Sequence, residues 1–213
     1  MAWRVPREWE GETAFLLGGG SSLAKFDASL LEGRRVIGIN EAGLSLAPWC
    51  EVLYWADGRW LEWNVDRLGL HTGRWKVSRQ NPQQRTKDCD RETAGKVEDA
   101  IARFGILHLP HEKKAALSDD PGRTAGACTG GSAINLAYLL GARRIVLLGY
   151  DMRPGHFHDR HRRPSKPESY VGRFIPTIRR MAPSLAARGV EVLNCTPGSA
   201  LDCFPTSRLE AVL

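Results

Sequence analysis

The sequence predicts a three-layer α/β fold in which helices cover both faces of a mostly parallel β-sheet. Short runs rich in valine, isoleucine and leucine recur along the chain and lack the strict apolar–polar alternation of a half-exposed sheet. Segments with helical character separate these runs, as crossovers between parallel strands require. The chain has 213 residues, 42% of them hydrophobic, and we expect a single domain over residues 1–213.

The individual elements follow from these runs and from the glycine and proline residues between them. Strands are expected at residues 14–17, 35–40, 51–56, 74–78, 106–109, 144–150 and 190–194. Helices are expected at residues 26–31, 41–46, 58–68, 133–140 and 168–188. A bend is expected in the last helix near Pro176 or Pro183, because proline cannot donate a helical hydrogen bond.

Two segments are expected to lie outside the regular elements. Residues 79–127 are expected to form an exposed excursion, because residues 79–100 are polar and nearly free of large apolar side chains. Residues 1–12 are expected to form a short arm that exposes Trp3 and Trp9.

Composition excludes several classes of protein. The five cysteines are widely spaced without a C-x-x-C pair, which indicates a reducing, cytoplasmic setting and argues against a disulfide frame or zinc knuckle. The polar N-terminus lacks the apolar region of a signal peptide, and no apolar run is long enough to span a membrane. A net charge of +6 favours anionic ligands, although the basic residues are dispersed apart from residues 160–163.

The first strand leads directly into a glycine loop, Gly18-Gly19-Gly20-Ser21-Ser22. Glycines allow the backbone to approach a ligand closely, and free N–H groups with the two serine hydroxyls are suited to a phosphate. The alternative is an ordinary tight turn between a strand and a helix. The spacing matches neither the dinucleotide fingerprint G-x-G-x-x-G nor the phosphate loop ending in Gly-Lys-Ser/Thr.

Ligands of such folds bind beyond the carboxyl ends of the strands. Asn40 and Asp57 follow the second and third strands, and Asp151 follows the strand at 144–150. A second anion site is expected where Thr129-Gly130-Gly131-Ser132 begins a helix, although these residues also fit an ordinary N-cap. Asp57 and Asp151 are the candidate ligands of a Mg²⁺ ion held together with substrate phosphates. An N-cap is the alternative for Asp57.

The segment that follows Asp151 has the richest chemistry, with His156, His158 and His161 among several arginines. Histidine titrates near neutral pH, so one of the three is the candidate for proton abstraction, and metal or phosphate contacts are further candidate roles. A basic surface loop without a catalytic role is the alternative. The spacing H-x-H-x-x-H is not that of a structural zinc site.

The motifs in order resemble a Rossmann-like family. They are GGGSSL, VIGIN, YWAD, TGGSAINLAYLLGARRIVLLGYDM and NCTPGSALDCFP, and they cover roughly residues 13–60 and 125–208. The family contains the archaeal-type 6-hydroxymethyl-dihydropterin pyrophosphokinase and many uncharacterised, often phage-encoded, proteins. More distantly, the chain is similar to bacterial sialyltransferases, whose asparagine after the second strand matches Asn40. The sequence departs from the family at Ser21, where proline is usual, and from the sialyltransferases at Gly19, where asparagine contacts the nucleotide.

This resemblance implies a nucleotide-dependent transferase that carries out pyrophosphoryl or glycosyl transfer. A nucleotide or nucleotide-sugar would be the co-substrate, with Mg²⁺ as candidate cofactor. The acceptor would be a small molecule, a glycan or a modified nucleic-acid base, and the net positive charge favours an anionic one. The rival interpretation is a non-catalytic phage protein on the same fold that binds nucleotides or nucleic acid.

Overall fold

A computed structural model describes residues 3–213. At its centre lies one seven-stranded sheet in which all neighbouring strands are parallel, which confirms the expected fold class. The strands are β1 (Thr13–Leu17), β2 (Arg35–Ile39), β3 (Val52–Trp55), β4 (Trp75–Ser78), β5 (Leu107–His108), β6 (Arg144–Leu148) and β7 (Glu191–Asn194).

The strand order across the sheet is β5-β4-β3-β2-β1-β6-β7. From β1 the chain adds four strands on one side and then returns to add β6 and β7 on the other side. The order therefore reverses at β1, which pairs with β2 along one edge and with β6 along the other. In open parallel sheets, ligands bind in the crevice that such a reversal leaves at the carboxyl ends of the strands.

Helices cover both faces of the sheet. The α-helices are α1 (Gly58–Asn64), α2 (Arg91–Phe104), α3 (Thr129–Leu139), α4 (Pro167–Ser169) and α5 (Ile175–Ala187). Shorter turns of 3₁₀-helix lie at Ser21–Leu23, Ala28–Leu31, Val65–Leu70 and Leu209–Ala211, and π-helical turns at Ala42–Leu46 and Tyr170–Phe174. Together α4, the second π turn and α5 form one continuous helix, as expected for residues 168–188. Its irregular π turn ends two residues before Pro176.

Alternate residues of each central strand enter two different hydrophobic clusters. In β1, Ala14 and Leu16 pack with residues of α3 and α5, whereas Phe15 and Leu17 pack with the short helices of the opposite face. All four side chains are fully buried. Since both faces of β1 are covered, the strand is continuously apolar rather than alternating.

The expectation of a loop over residues 79–100 is wrong in its second half. Asp90 caps α2 by accepting a hydrogen bond from the Thr93 N–H at 2.7 Å, and Gly105 ends the helix at a φ of 60°. Val97 and Ala100 are buried in a cluster with residues of α1. The buried residues have the spacing of a helix, but this pattern is hard to recognise in the sequence because large apolar side chains are scarce.

Two further expectations near helix ends need correction. Trp9 is fully buried rather than exposed, and its backbone N–H donates to the Leu140 carbonyl at 2.7 Å. Trp3 is half-buried with its ring 5.9 Å from that of Trp75, while residues 1–2 of the expected arm lie outside the described residues. Helix α3 begins at Thr129, four residues before the expected start.

Within residues 3–213, no helix combines the length and apolar character that crossing a bilayer requires.

Candidate functional site

A cavity of about 610 Å³ lies along the carboxyl edge of the sheet. Its floor is formed by residues that lie one or two positions after the strands, in the spatial order Arg79, Asp57, Asn40, Gly18 and Gly149 after β4, β3, β2, β1 and β6. At about 4.8 Å between neighbouring strands, this row extends over roughly 19 Å. The volume and length are typical of a site for a small organic ligand.

The glycine loop is fastened to the end of β6 by the carboxylate of Asp151. The Ser22 hydroxyl donates to it at 2.7 Å, the Ser22 N–H at 3.0 Å and the Ser21 hydroxyl at 3.2 Å. A Cβ on Gly20 would collide with the same carboxylate, so only glycine fits there. Both serine hydroxyls, expected to hold an anion, are thus used within the protein, and neither serine lines the cavity.

The glycine N–H groups are less free than the sequence predicted. Gly18 donates to the Leu148 carbonyl at 2.8 Å and Gly20 to the Gly149 carbonyl at 2.9 Å. Within residues 3–213, Gly19 is the one of these three glycines whose N–H has no protein acceptor. The loop therefore offers a ligand one N–H group and a surface without side chains.

The start of α3 supplies the second half of the expected anion site. Its N-cap is Cys128, whose Sγ accepts a hydrogen bond from the Gly131 N–H at 3.3 Å. Gly131 and Ser132 are buried, and the Ser132 hydroxyl donates to the Cys128 carbonyl, so this expected pair does not face the cavity. Thr129 and Gly130 do line it, and their N–H groups have no acceptor within the helix.

Arginines reinforce this helix start. The Arg79 guanidinium donates to the carbonyl of Gly126, two residues before Cys128, at 2.8 Å. Burial raises the pKa of the Cys128 thiol, while the charges of Arg79 and Arg173 act in the opposite direction. Two cations therefore accompany the positive end of the α3 dipole.

Every carboxylate of the cavity already has partners. Glu41 is paired with Arg67 through two contacts of 2.6 and 2.7 Å, and Asp57 with Arg59, while Asp151 accepts from the serines. The Arg67 guanidinium also outweighs the effect of burial and lowers the pKa of Glu41. By contrast, within the described chain, four of the six arginines in the lining have no carboxylate within 4.0 Å; they are Arg79, Arg153, Arg162 and Arg173.

The two expected magnesium ligands do not converge. Asp57 follows β3 and Asp151 follows β6, so three strand spacings, roughly 14 Å, separate the chain positions. Asp57 caps α1 by accepting from the Arg59 N–H at 3.0 Å, as its alternative interpretation predicts. Among residues 3–213, no group of three or more His, Cys, Asp or Glu side chains is arranged to hold a metal ion.

The three expected histidines do converge on the cavity. The rings of His156 and His161 are stacked with centroids 4.2 Å apart, and the His158 ring is 5.4 Å from that of His156. His156 Nδ1 is 3.1 Å from the Gly19 carbonyl, which also accepts from the Phe157 N–H. Residues 152–166, here called the histidine loop, are thereby docked directly on the glycine loop.

Hydrogen bonds distinguish the tautomers of two of these rings. A carbonyl only accepts, so His156 carries its proton on Nδ1, and the lone pair of its Nε2 has no partner in the described structure. His158 Nδ1 accepts from the Arg160 N–H at 3.1 Å, so its proton lies on Nε2. Burial lowers the pKa of His156 and His158, and that of His161 to about 4, so all three rings are neutral at pH 7.

Backbone strain is concentrated at this site. In residues 3–213, Asn40 and Met152 are the two non-glycine residues with positive φ, at 53° and 54°. Both line the cavity; Asn40 directly follows β2, and Met152 is the fourth residue after β6. This conformation costs on the order of 1 kcal/mol or more, especially for methionine, and such costs are typical of binding sites.

Sequence reasoning missed several cavity residues. Arg79 is the first residue after β4, so the rule that selected Asn40 and Asp57 would also have found it. Trp60 and Trp63 line the cavity from α1, whereas the sequence favours core or helix-face positions for the tryptophans of this segment. Thr196 lies outside the lining; its hydroxyl accepts from the Tyr150 N–H at 2.9 Å and supports the end of β6.

No protein-family model and no curated protein sequence matches the chain. Among solved structures, the fold is similar to that of the sialyltransferase CstII from Campylobacter jejuni in complex with a substrate analogue, cytidine-5'-monophosphate. The TM-score is 0.55 at 16% sequence identity, and the alignment covers 92% of this chain and 85% of that one. At this identity the match shows the fold alone. It confirms the sialyltransferase-like part of the resemblance as a likeness of fold, whereas the likeness to the pyrophosphokinase and phage proteins gains no support.

Replacing Asp151 by asparagine is expected to loosen the glycine loop. The variant loses a charged acceptor for three hydrogen bonds, which we expect to lower the free energy of unfolding by about 1–3 kcal/mol. Chemical denaturation measures the loss, and faster amide exchange at residues 18–22 would localise it. The control is Asp159→Asn, an exposed carboxylate of the same loop outside the cavity lining. Equal stability of the two variants would contradict the role of Asp151.

We expect the protein to lose stability in mild acid because His161 is held neutral in the folded state. His161 has its pKa lowered by burial from 6.5 to about 4, so the unfolded chain binds a proton that the folded chain excludes. This contribution is complete above pH 6.5 and is lost as the pH falls towards 4. Thermal unfolding between pH 7.5 and 4.5 should therefore depend less steeply on pH in His161→Gln than in the unmodified protein. Identical pH profiles would show that this histidine is not held neutral.

Proposed function

We propose that the chain is a nucleotide-dependent transferase that binds the phosphates of a nucleotide donor in the cavity. The observation that carries the proposal is the imbalance of charge in the lining. Four arginines lack a carboxylate partner in the described structure, while all three carboxylates are engaged. A cavity with uncompensated guanidinium groups next to a helix start is suited to phosphate.

The donor phosphates are proposed to lie between the Gly19 N–H and the start of α3. There the N–H groups of Thr129 and Gly130 act with the guanidinium groups of Arg79 and Arg173. Gly18 and Gly20 hold this loop against the end of β6, because a Cβ at either position would collide with the Gly149 carbonyl or the Asp151 carboxylate. The nucleoside part is assigned to Asn40, which lies on the adjacent strand end.

The same site favours glycosyl transfer over pyrophosphoryl transfer. Pyrophosphoryl transfer commonly relies on Mg²⁺ bridging several phosphates, and Asp57 and Asp151 are already used by Arg59 and the serines. Glycosyl transfer from a nucleotide-sugar releases a nucleoside monophosphate or diphosphate, whose negative charge arginines can stabilise. The fold resemblance to a sialyltransferase in complex with cytidine-5'-monophosphate supports this choice. A requirement for Mg²⁺ would redirect the assignment to pyrophosphoryl transfer.

His156 is proposed as the base that activates the acceptor. Its Nδ1–H donates to the Gly19 carbonyl, which leaves the Nε2 lone pair for a proton. An acceptor hydroxyl would attack the anomeric carbon, its proton passing to Nε2 while the bond to the donor phosphate breaks and the electron pair leaves with the nucleotide. The Nε2 atom is buried, so the groups around it, among them the His161 ring stacked on His156, must move before the acceptor arrives.

A non-catalytic nucleotide- or nucleic-acid-binding protein remains the second candidate. The exposed arginines of residues 160–163 at the cavity favour it, because they lie where a polyanion could reach them. Salt-dependent binding of oligonucleotides without turnover of any donor would distinguish it from a transferase.

Nucleotide binding is tested by thermal shift with CMP, CDP, UDP, GDP, AMP and ATP, each with and without Mg²⁺. A ligand at 100 times its dissociation constant should stabilise the protein by about 2.7 kcal/mol. Arg173→Ala removes an exposed cavity cation and should weaken binding by roughly 1.5–3 kcal/mol. The control Arg34→Ala removes the same charge beside the amino end of β2, at the opposite edge of the sheet. No shift with any nucleotide, or equal effects of the two variants, would contradict the donor site.

Catalysis by His156 is tested with the donor identified in this screen. His156→Gln should lower turnover by roughly 10²–10⁴-fold and leave the thermal shift by the nucleotide nearly unchanged. His158→Gln is the matched control, since the proton on its Nε2 makes it a donor rather than a base. A larger loss in His158→Gln would transfer the role of base to that residue.

A further inference from the structure

Helix α1 presents an aromatic surface to the cavity that the donor site does not use. Trp60 and Trp63 are three residues apart, so they share one face of the helix, and both are half-buried in the lining. The Arg162 guanidinium lies 5.6 Å from the ring centroid of Trp63, and that of Arg59 lies 5.9 Å away. Indole rings and guanidinium planes are the side-chain groups on which flat rings stack best.

The rim next to this surface is strongly basic. The histidine loop carries five exposed cations against the single carboxylate of Asp159; they are Arg153, Arg160, Arg162, Arg163 and Lys166. In the described chain, Arg162 has no carboxylate within 4.0 Å, and Arg163 has an exposed partner, Asp88, at 3.4 Å. Positive charge therefore continues outward from the aromatic surface, beyond the reach of one small ligand.

The aromatic surface is separated from the glycine loop along the sheet. Helix α1 follows β3, whereas the glycine loop follows β1, which is two strand spacings or about 10 Å away. A second ligand can therefore contact the rim while a donor contacts the glycine loop, with Arg79 after β4 as the donor-site residue on the other side of β3.

We propose that this rim binds single-stranded nucleic acid, with a base stacked on Trp63 and Trp60 and backbone phosphates paired with Arg162 and Arg163. The inference rests on the proposed function in one respect only: it names the bound nucleic acid as the acceptor of the transferred group. Alternating flat rings and phosphates match a surface that pairs indoles with arginines. An acidic polysaccharide would meet the same cations but offers no flat aromatic ring to the indoles.

The test uses a labelled oligothymidylate of about 12 nucleotides and a strand of equal length in which the bases are replaced by abasic sites. Fluorescence anisotropy measures binding of each strand without any donor. Trp63→Ala should weaken binding of the oligothymidylate by roughly 5- to 150-fold and leave binding of the abasic strand unchanged. Arg162→Ala should weaken binding of both strands and reduce the slope of log affinity against log salt by about 0.7.

Two controls separate stacking from loss of structure. Trp75→Ala removes a half-buried indole that also has a guanidinium at its ring, that of Arg74 at 4.2 Å, but it lies at the amino end of β4. It should leave binding unchanged. Trp63→Phe keeps a ring and should retain most of the affinity, and thermal unfolding of each variant confirms that it is folded.

Three results would overturn the inference. They are equal binding of the two strands by the unmodified protein, an unchanged affinity in Trp63→Ala, or tighter binding of a polyuronate than of the oligothymidylate. The last result would assign the rim to an acidic carbohydrate. Mononucleotide thermal shifts report on the donor site separately, so a nucleotide shift without strand binding rejects this inference alone. Strand binding without any nucleotide shift rejects the proposed donor instead.

Discussion

The pairing of β1 with β6 is the constraint on which the rest of the structure depends. It brings Gly18 so close to Gly149 that an added Cβ would lie 2.5 Å from the Gly149 carbonyl oxygen. The same approach allows the carboxylate of Asp151 to hold the turn that follows β1. From this contact outward, each strand end adds one group to the floor of the cavity, and the spacing of the strands sets the distances between those groups.

The chemistry of the site follows from which charges are already neutralised. Glu41 has a bidentate arginine partner, Asp57 has another, and burial keeps the histidines uncharged, so the cations that remain dominate the field inside the cavity. Neutral imidazoles beside such cations are suited to accept protons while the arginines stabilise departing negative charge. The strained backbone at Met152 shows that the protein accepts a local energetic cost to keep this arrangement.

The fold was largely predictable because buried parallel strands, such as the one containing Phe15 to Leu17, can be recognised in the sequence by their continuous apolar character. The candidate site was predictable in outline, since the strand ends pick out Asn40 and the glycine loop. What sequence could not supply is the partner of each polar group. Nothing local indicates that Asp151 is occupied by Ser22, 129 residues away in the chain, or that Cys128 rather than Thr129 caps α3. Helix α2 was missed for another reason, because alanine and valine suffice to bury a helix that lies at the edge of the sheet.

The position of β6 late in the sequence also affects folding during synthesis. Its pairing partner β1 occupies residues 13–17, so during synthesis one side of β1 stays open until residues 144–148 have left the ribosome. Contacts over such long sequence separations form slowly, because a large loop must close before they stabilise the chain. A chain stalled before β6 would expose the apolar strand Phe15 to Leu17 as an unpaired edge. Nascent chains of this protein are thus expected to depend on chaperone protection until about two thirds of the polypeptide has emerged.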